Sequence, residues 1–192
     1  MVCDIGPSTM TDAFALRLAA PADVGEIESL VARSIRALHA GEYDNAIIDE
    51  AIEHAYGVDW QLIRDGTYFV AMIAGVTVGA GGWSYRQTIA EAHGPEDPPA
   101  PRLSPSIDAA RVRAFYVDPG CARRGVGRLL LRASEQAAIA AGFAWAELTS
   151  TLPAVPFYAA HGYALVGGYD LALPSGNVLE LCRMTKRLAS SR

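Results

Sequence analysis

Val117-Asp-Pro-Gly-Cys-Ala-Arg-Arg-Gly-Val-Gly-Arg-Leu-Leu-Leu131 is the stretch that decides how this chain is read. It runs from the end of an apolar strand through a turn and two arginines to Gly-x-Gly and the start of a helix. Gly125 and Gly127 lack the Cβ that would keep an anion from the backbone, and the first helical turn presents unpaired N–H groups at its positive end. Arg123, Arg124 and Arg128 add formal charge at the same place, so the segment reads as an anion cradle. A glycine-rich helix start with solvated arginines is the plainer alternative. A dinucleotide-binding turn fits less well: its third glycine position is Leu130, and seven residues separate Val117 from Gly125, although Glu147 lies near the spacing of a ribose-binding acid. A Walker loop is excluded because no Gly-Lys-Ser/Thr follows.

Working outward, the residues before the cradle, ARVRAFYV at 110–117, alternate as a strand. The residues after it predict a helix over 125–141, with Val126, Leu129, Leu130, Ala133 and Ala137 on one face and Gly142 closing the end. Further on, the pattern predicts a strand at 144–149, a short helix at 156–161, and strands at 163–173 and 178–185 joined by the turn 174–177. Upstream, a strand at 14–18 precedes an amphipathic helix carrying Val24, Ile27, Leu30, Val31, Ile35 and Leu38 at three- and four-residue steps. A second helix is expected at 45–56, then a linker to a hairpin of strands 68–73 and 77–83. The segment 86–108 holds too many prolines for a regular element and reads as a long exposed loop. Residues 1–13 read as a loose tail before one domain at 14–188.

Composition narrows the function. The chain has 192 residues, 51% of them hydrophobic, with mean hydropathy +0.16, enough apolar mass for a packed core. Sixteen basic against 21 acidic side chains give a net charge of −5, which argues against nucleic acid as a partner. Any anionic ligand must therefore be held by a local arrangement of donors. Three dispersed cysteines suggest neither a disulfide framework nor a zinc site and point to a reducing, cytoplasmic compartment. The uncharged run 66–85 is long enough to span a bilayer, yet its five glycines and the break at Ala74-Gly75 mark a buried hairpin, so no membrane is expected.

The cradle segment resembles the signature of the GNAT superfamily of acyl-CoA-dependent N-acyltransferases, V-x-P-x-x-[RQ]-x-x-G-x-G, with Val117, Pro119, Gly125 and Gly127 matching and Ala122 standing where Arg or Gln is usual. The resemblance extends over about 14–187 in element order. It implies an α/β (α+β) GNAT-like fold, a mixed, mostly antiparallel central sheet with helices on both faces, in which strands 112–117 and 144–149 run parallel and diverge. It implies acetyl-CoA as cofactor, with its pyrophosphate on the amides of Arg123, Arg124, Gly125, Val126, Gly127 and Arg128. Phe115, Tyr116 and Val117 would receive the pantetheine arm, Phe115 and Val117 through free backbone groups.

PFYAAHGY at 156–163 is similar to the family's FYxxxGF segment, which gives Tyr158 the role of general acid toward the coenzyme sulfur. By composition alone Tyr158 is an aromatic packed beside Phe157. Pro153 occupies a position that often carries Asn in similar sequences. For the base, Glu147 is the candidate, with a solvated strand face as its alternative; His93 lines a substrate mouth or is simply exposed. His39, His54 and His161 read as surface or helix residues, and Cys121 as an inert loop thiol. Tyr43, Trp60, Trp83 and Tyr85 either shape an acceptor pocket or pack in the core. No metal is expected. The implied activity is transfer of an acetyl group to a small-molecule or peptide amine; the alternative is a non-catalytic acyl-CoA sensor on the same fold, and a homodimer is an open assembly.

Overall fold

The computed structural model describes residues 14–88 and 92–188; the expected tail at 1–13 lies outside the described residues. Seven strands, β1 (Ala15–Leu18), β2 (Tyr68–Ile73), β3 (Val76–Ser84), β4 (Ala110–Val117), β5 (Trp145–Thr151), β6 (Ala164–Ala172) and β7 (Val178–Arg187), form one sheet in the order β1-β2-β3-β4-β5-β7-β6. Every neighbouring pair is antiparallel except β4 and β5. These two are parallel, as the crossover through the following helix requires, and they pair only at Ala110 with Ala146 and Arg111 with Glu147. Past those two rungs the strands part.

Helices cover both faces. On one side lie α1 (Val24–Leu38), α2 (Asn45–His54) and α3 (Trp60–Asp65), packed through Ile27, Leu30, Ile35 and Leu62 against Val70, Ala80 and Tyr116 of the sheet. On the other lie α4 (Val126–Ala140) and α5 (Val155–Ala160), where Leu131, Ala138 and Tyr158 meet Val112, Ala146 and Met184. The hairpin β2–β3 occupies the uncharged run 66–85, and among the described residues no helix is long and apolar enough to cross a membrane. Gly79 allows α4 to come close: a Cβ there would lie 2.4 Å from Val126 Cγ1. The sheet therefore sets where the first turn of α4 sits.

Three expectations need correction. The segment taken as a linker holds α3, whose N-terminus is capped by Asp59, Oδ1 accepting from Gln61 N at 3.0 Å and Leu62 N at 3.3 Å. With Gly66 at φ +67° ending it, this helix is too short to show a hydrophobic period. Secondly, α4 buries Val126, Leu130, Leu131, Ser134 and Ala138, while Leu129, Ala133 and Ala137 lie half-buried along the edge of that stripe.

Thirdly, the segment 86–108 is not exposed throughout. Leu103 and Thr88 are buried, Arg86 binds Asp65 at 2.6 and 2.7 Å and Ala100 O at 2.9 Å, and Gln61 Oε1 accepts from Ala100 N at 2.8 Å. Arg86 and Arg102 both lie over the Tyr85 ring. Proline removes regular structure here, yet the backbone still finds partners, and those partners strap the segment to the core.

Candidate functional site

Where β4 and β5 part, a cavity of about 740 Å³ opens between the end of α1, the C-terminal half of β4, the start of α4 and α5. β4 carries a bulge at this point. Ala80 pairs with Tyr116 and Gly82 with Arg113, so Ala114 and Phe115 together face Gly81, and Ala114 takes φ +57°. Gly81 makes room, since a Cβ there would lie 2.9 Å from the Phe115 ring. The bulge turns Phe115, Tyr116 and Val117 along the cavity wall. One expectation changes: Val117 N is not free but donates to Ser34 Oγ at 3.1 Å. A backbone N–H turned away from its ladder requires an acceptor, and buried Ser34 supplies one from α1.

The cradle follows directly. Asp118 shapes the turn, its Oδ1 accepting from Gly120 N at 3.0 Å, and Cys121 N donates to Asp118 O at 2.8 Å. Arg123 at φ +64° and Gly125 at φ +94° take left-handed conformations on either side of Arg124, and this double turn leads the chain into α4. The first helical bond of α4 runs from Leu129 N to Gly125 O at 3.0 Å, so the amides of Val126, Gly127 and Arg128 precede the helix's own acceptors. Arg123, Arg124, Gly125, Gly127 and Arg128 line the cavity, and the three arginines are exposed. Val126 differs, its side chain buried with Ala71, Val78 and Leu130, leaving only its amide on the cradle side. A Cβ on Gly127 would lie 3.2 Å from Phe157 Cζ and 3.9 Å from Val117 Cγ2, so this glycine keeps the floor low. These residues fit the pyrophosphate of coenzyme A. Ala122 is on the wall without a polar side chain, its N–H donates to Pro119 O at 3.3 Å and that of Arg124 to Cys121 O at 3.4 Å, so an anion falls chiefly to the first turn of α4.

Tyr158 is carried on α5 into the same cavity and is 7% exposed. Its ring stands edge-on to Phe157 at 5.0 Å, Tyr163 at 5.7 Å and Phe115 at 6.3 Å. Burial, with a smaller contribution from Tyr116, pushes its hydroxyl above the ordinary tyrosine range, which favours the protonated form. Pro153 is on the wall nearby.

Glu147 is placed elsewhere. It is engaged by Arg111 at 2.8 Å and Arg183 at 2.9 Å at the last paired rung of β4 and β5, and it does not line the cavity. Its charge joins β5 to both neighbouring strands. His93 lies 3.9 Å from buried Asp59, itself paired with Arg113 at 2.8 Å. Trp83 stacks edge-on to Tyr85 and Phe143 in the core, and the Tyr43 hydroxyl donates to Glu180 O at 2.7 Å while accepting from Leu152 N at 2.8 Å. Neither these residues nor Trp60 line the cavity. Cys121 lines it as a buried free thiol, and His161, on the wall, bonds Phe157 O through Nδ1 at 2.8 Å.

Sequence reasoning missed Ser34, His39 and Tyr56, all on the cavity wall. His39 is buried rather than on the surface, and burial lowers its pKa to about 4. A signal existed, since His39 stands four residues after Ile35 and so continues the apolar stripe of α1.

A model of the acetyltransferase (GNAT) domain matches residues 64–165, just over half of the chain. Among solved structures, the chain is similar to a GCN5-related N-acetyltransferase from Rhodopseudomonas palustris (TM-score 0.68, 24% identity, 91% of this chain and 95% of that one). It is also similar to the PaiA N-acetyltransferase of Thermoplasma acidophilum, solved with coenzyme A (0.62, 13%, 91% and 99%). A third is YncA from Salmonella typhimurium, solved with its cofactor acetyl-CoA (0.61, 17%, 93% and 96%). No curated protein matches the chain.

Proposed function

The chain belongs to the GNAT acetyltransferase family, and from that premise we propose that it moves an acetyl group from acetyl-CoA to a primary amine by direct attack. One observation carries the reading: the anion cradle at the start of α4, the diverging strands and the proton-bearing Tyr158 all open into a single cavity. Arg123, Arg124 and Arg128, with the amides of Arg123 and of residues 125–128, would hold the pyrophosphate. The bulged end of β4 would take the pantetheine arm along Phe115, Tyr116 and Val117, and Ser34 keeps the Val117 N–H satisfied until that happens. When bound, acetyl-CoA supplies an acetyl group activated as a thioester.

Tyr158 holds a proton beside the position where thiolate charge develops, and its surroundings of Phe115, Phe157 and Tyr163 keep water from that point. Glu147 acts at a distance, fixing the last paired rung from which the strands diverge. The acceptor's own lone pair is the nucleophile, and no acyl-enzyme through Cys121 is needed. The catalytic unit spans 14–188, in the reducing cytosol, acting on a small-molecule or peptide amine; a homodimer is the assembly to test by light scattering.

The deciding experiment measures thiol release from acetyl-CoA over a panel of amines, beside calorimetric binding of acetyl-CoA. Release that depends on the amine is expected. Tight binding with no release to any amine would instead make the protein an acyl-CoA sensor.

A further inference from the structure

The end of the cavity away from the cradle is built from four elements that meet only in the fold: Leu38 and His39 from α1, Tyr56 just after α2, Leu171 from β6, and Leu179 and Leu181 from β7. We propose, building on the acetyl-transfer reading above, that the acceptor is a monoamine whose body is an uncharged apolar chain or ring, seated with its nitrogen between Tyr56 and His39.

Charge carries the first half of the argument. Among the described residues lining the cavity there is no aspartate or glutamate. Among the described residues, the one arginine on the wall outside the cradle is Arg113, and it is met by Asp59 at 2.8 Å. A second ammonium on the acceptor would enter an apolar wall with no carboxylate to receive it, and a distal carboxylate would have to compete with Asp59. An alkyl or aryl body meets leucine side chains and the rings of His39 and Tyr56 instead.

Polarity carries the second half. The Tyr56 hydroxyl is buried and has no hydrogen-bond partner among the described residues, a state that a ligand group relieves. His39 stands beside it with ring centroids 6.0 Å apart, and Tyr116 beyond it at 6.4 Å. Burial keeps the imidazole neutral at physiological pH, so it accepts an N–H without repelling the amine. The Tyr56 hydroxyl oxygen accepts the amine's other N–H, which leaves the nitrogen lone pair free to attack. This seat suits one neutral amine, since among the described residues no lining carboxylate is there to receive an ammonium.

Matched acceptors test the class. Hexylamine and benzylamine are compared in kcat/KM with 1,6-diaminohexane, 4-(aminomethyl)benzylamine and 6-aminohexanoate, which keep the reach and add a distal charge. The uncharged-bodied amines should exceed their charged counterparts by at least ~100-fold, the consequence of placing an unmatched charge in an apolar wall. A charged acceptor that performs as well overturns the class while leaving acetyl transfer in place. Absence of thiol release with every amine, in protein that binds acetyl-CoA, removes both. Leu38→Glu, on a side chain 39% exposed and so tolerant of change, should raise the diamine relative to hexylamine by ~10-fold or more. Tyr56→Phe should raise KM for hexylamine and leave acetyl-CoA affinity unchanged; equal KM in both proteins overturns the seat.

Discussion

Replacing Tyr158 by Phe removes one oxygen atom and nothing else, and the surroundings of the ring let its effect be apportioned. The three edge-on contacts to Phe157, Tyr163 and Phe115 belong to the ring and survive the change. With those contacts kept, stability should move by no more than about 1 kcal/mol. The hydroxyl matters only when charge appears on the departing sulfur. A positioned general acid contributes ~10²-fold, or about 2.7 kcal/mol of transition-state stabilisation, so kcat should fall by that factor while acetyl-CoA affinity holds. Burial supplies a further check. Because the phenol's pKa is raised, the ratio of parent to variant kcat should stay flat from about pH 6.5 to about pH 9.5, whereas an ordinary tyrosine would begin to lose its proton near the upper end. Steady-state thiol release across pH, with calorimetry for acetyl-CoA, measures both. An unchanged kcat, or a loss of affinity as large as the loss of rate, would return Tyr158 to a packing role.

Gly127→Asp should weaken acetyl-CoA binding by ~10² or more, since a like charge facing a phosphate costs about 3 kcal/mol; calorimetry on folded variant showing the parent's affinity would move the cradle elsewhere. His39 has a pKa of about 4 in the fold against an ordinary 6.5, so below pH 6.5 the unfolded chain takes up a proton that the native state refuses. Stability should therefore fall by about 2.5 kcal/mol between pH 7 and pH 4.5 on this account, and urea titrations of His39→Leu should show that part of the slope gone. Arg86→Ala breaks a pair whose side chains are 13% and 7% exposed and frees the strap at 86–108, with an expected loss of about 3 kcal/mol in urea unfolding; a change below about 0.5 kcal/mol would show the strap to be ornamental.

The residues from Val117 to Leu131 were legible because everything they do is local. A turn, two glycines and a helix start present consecutive amides to one anion, and no distant residue is needed to infer it. The stripe of α1 and the hairpin β2–β3 were legible for the same reason, each reporting its own period. Tyr158 lay between these cases: its motif suggested a role, and only the fold shows it buried beside Phe115, where the protonated hydroxyl is favoured. Glu147 shows the opposite. In the sequence it is a free carboxylate near a strand end, and only the register that sets it opposite Arg111, with Arg183 on the neighbouring strand, reveals that its charge is already spent. The bond from Val117 N to Ser34 Oγ joins residues 83 apart and exists because a bulge turns β4 toward α1. By itself, then, the sequence determined the cofactor end of this protein, whose recognition is written in adjacent backbone groups. The acceptor end was decided only by the tertiary structure, because its walls are side chains from the end of α1, the residues just after α2, β6 and β7, and which of them face inward depends on strand register and helix rotation that no local pattern encodes.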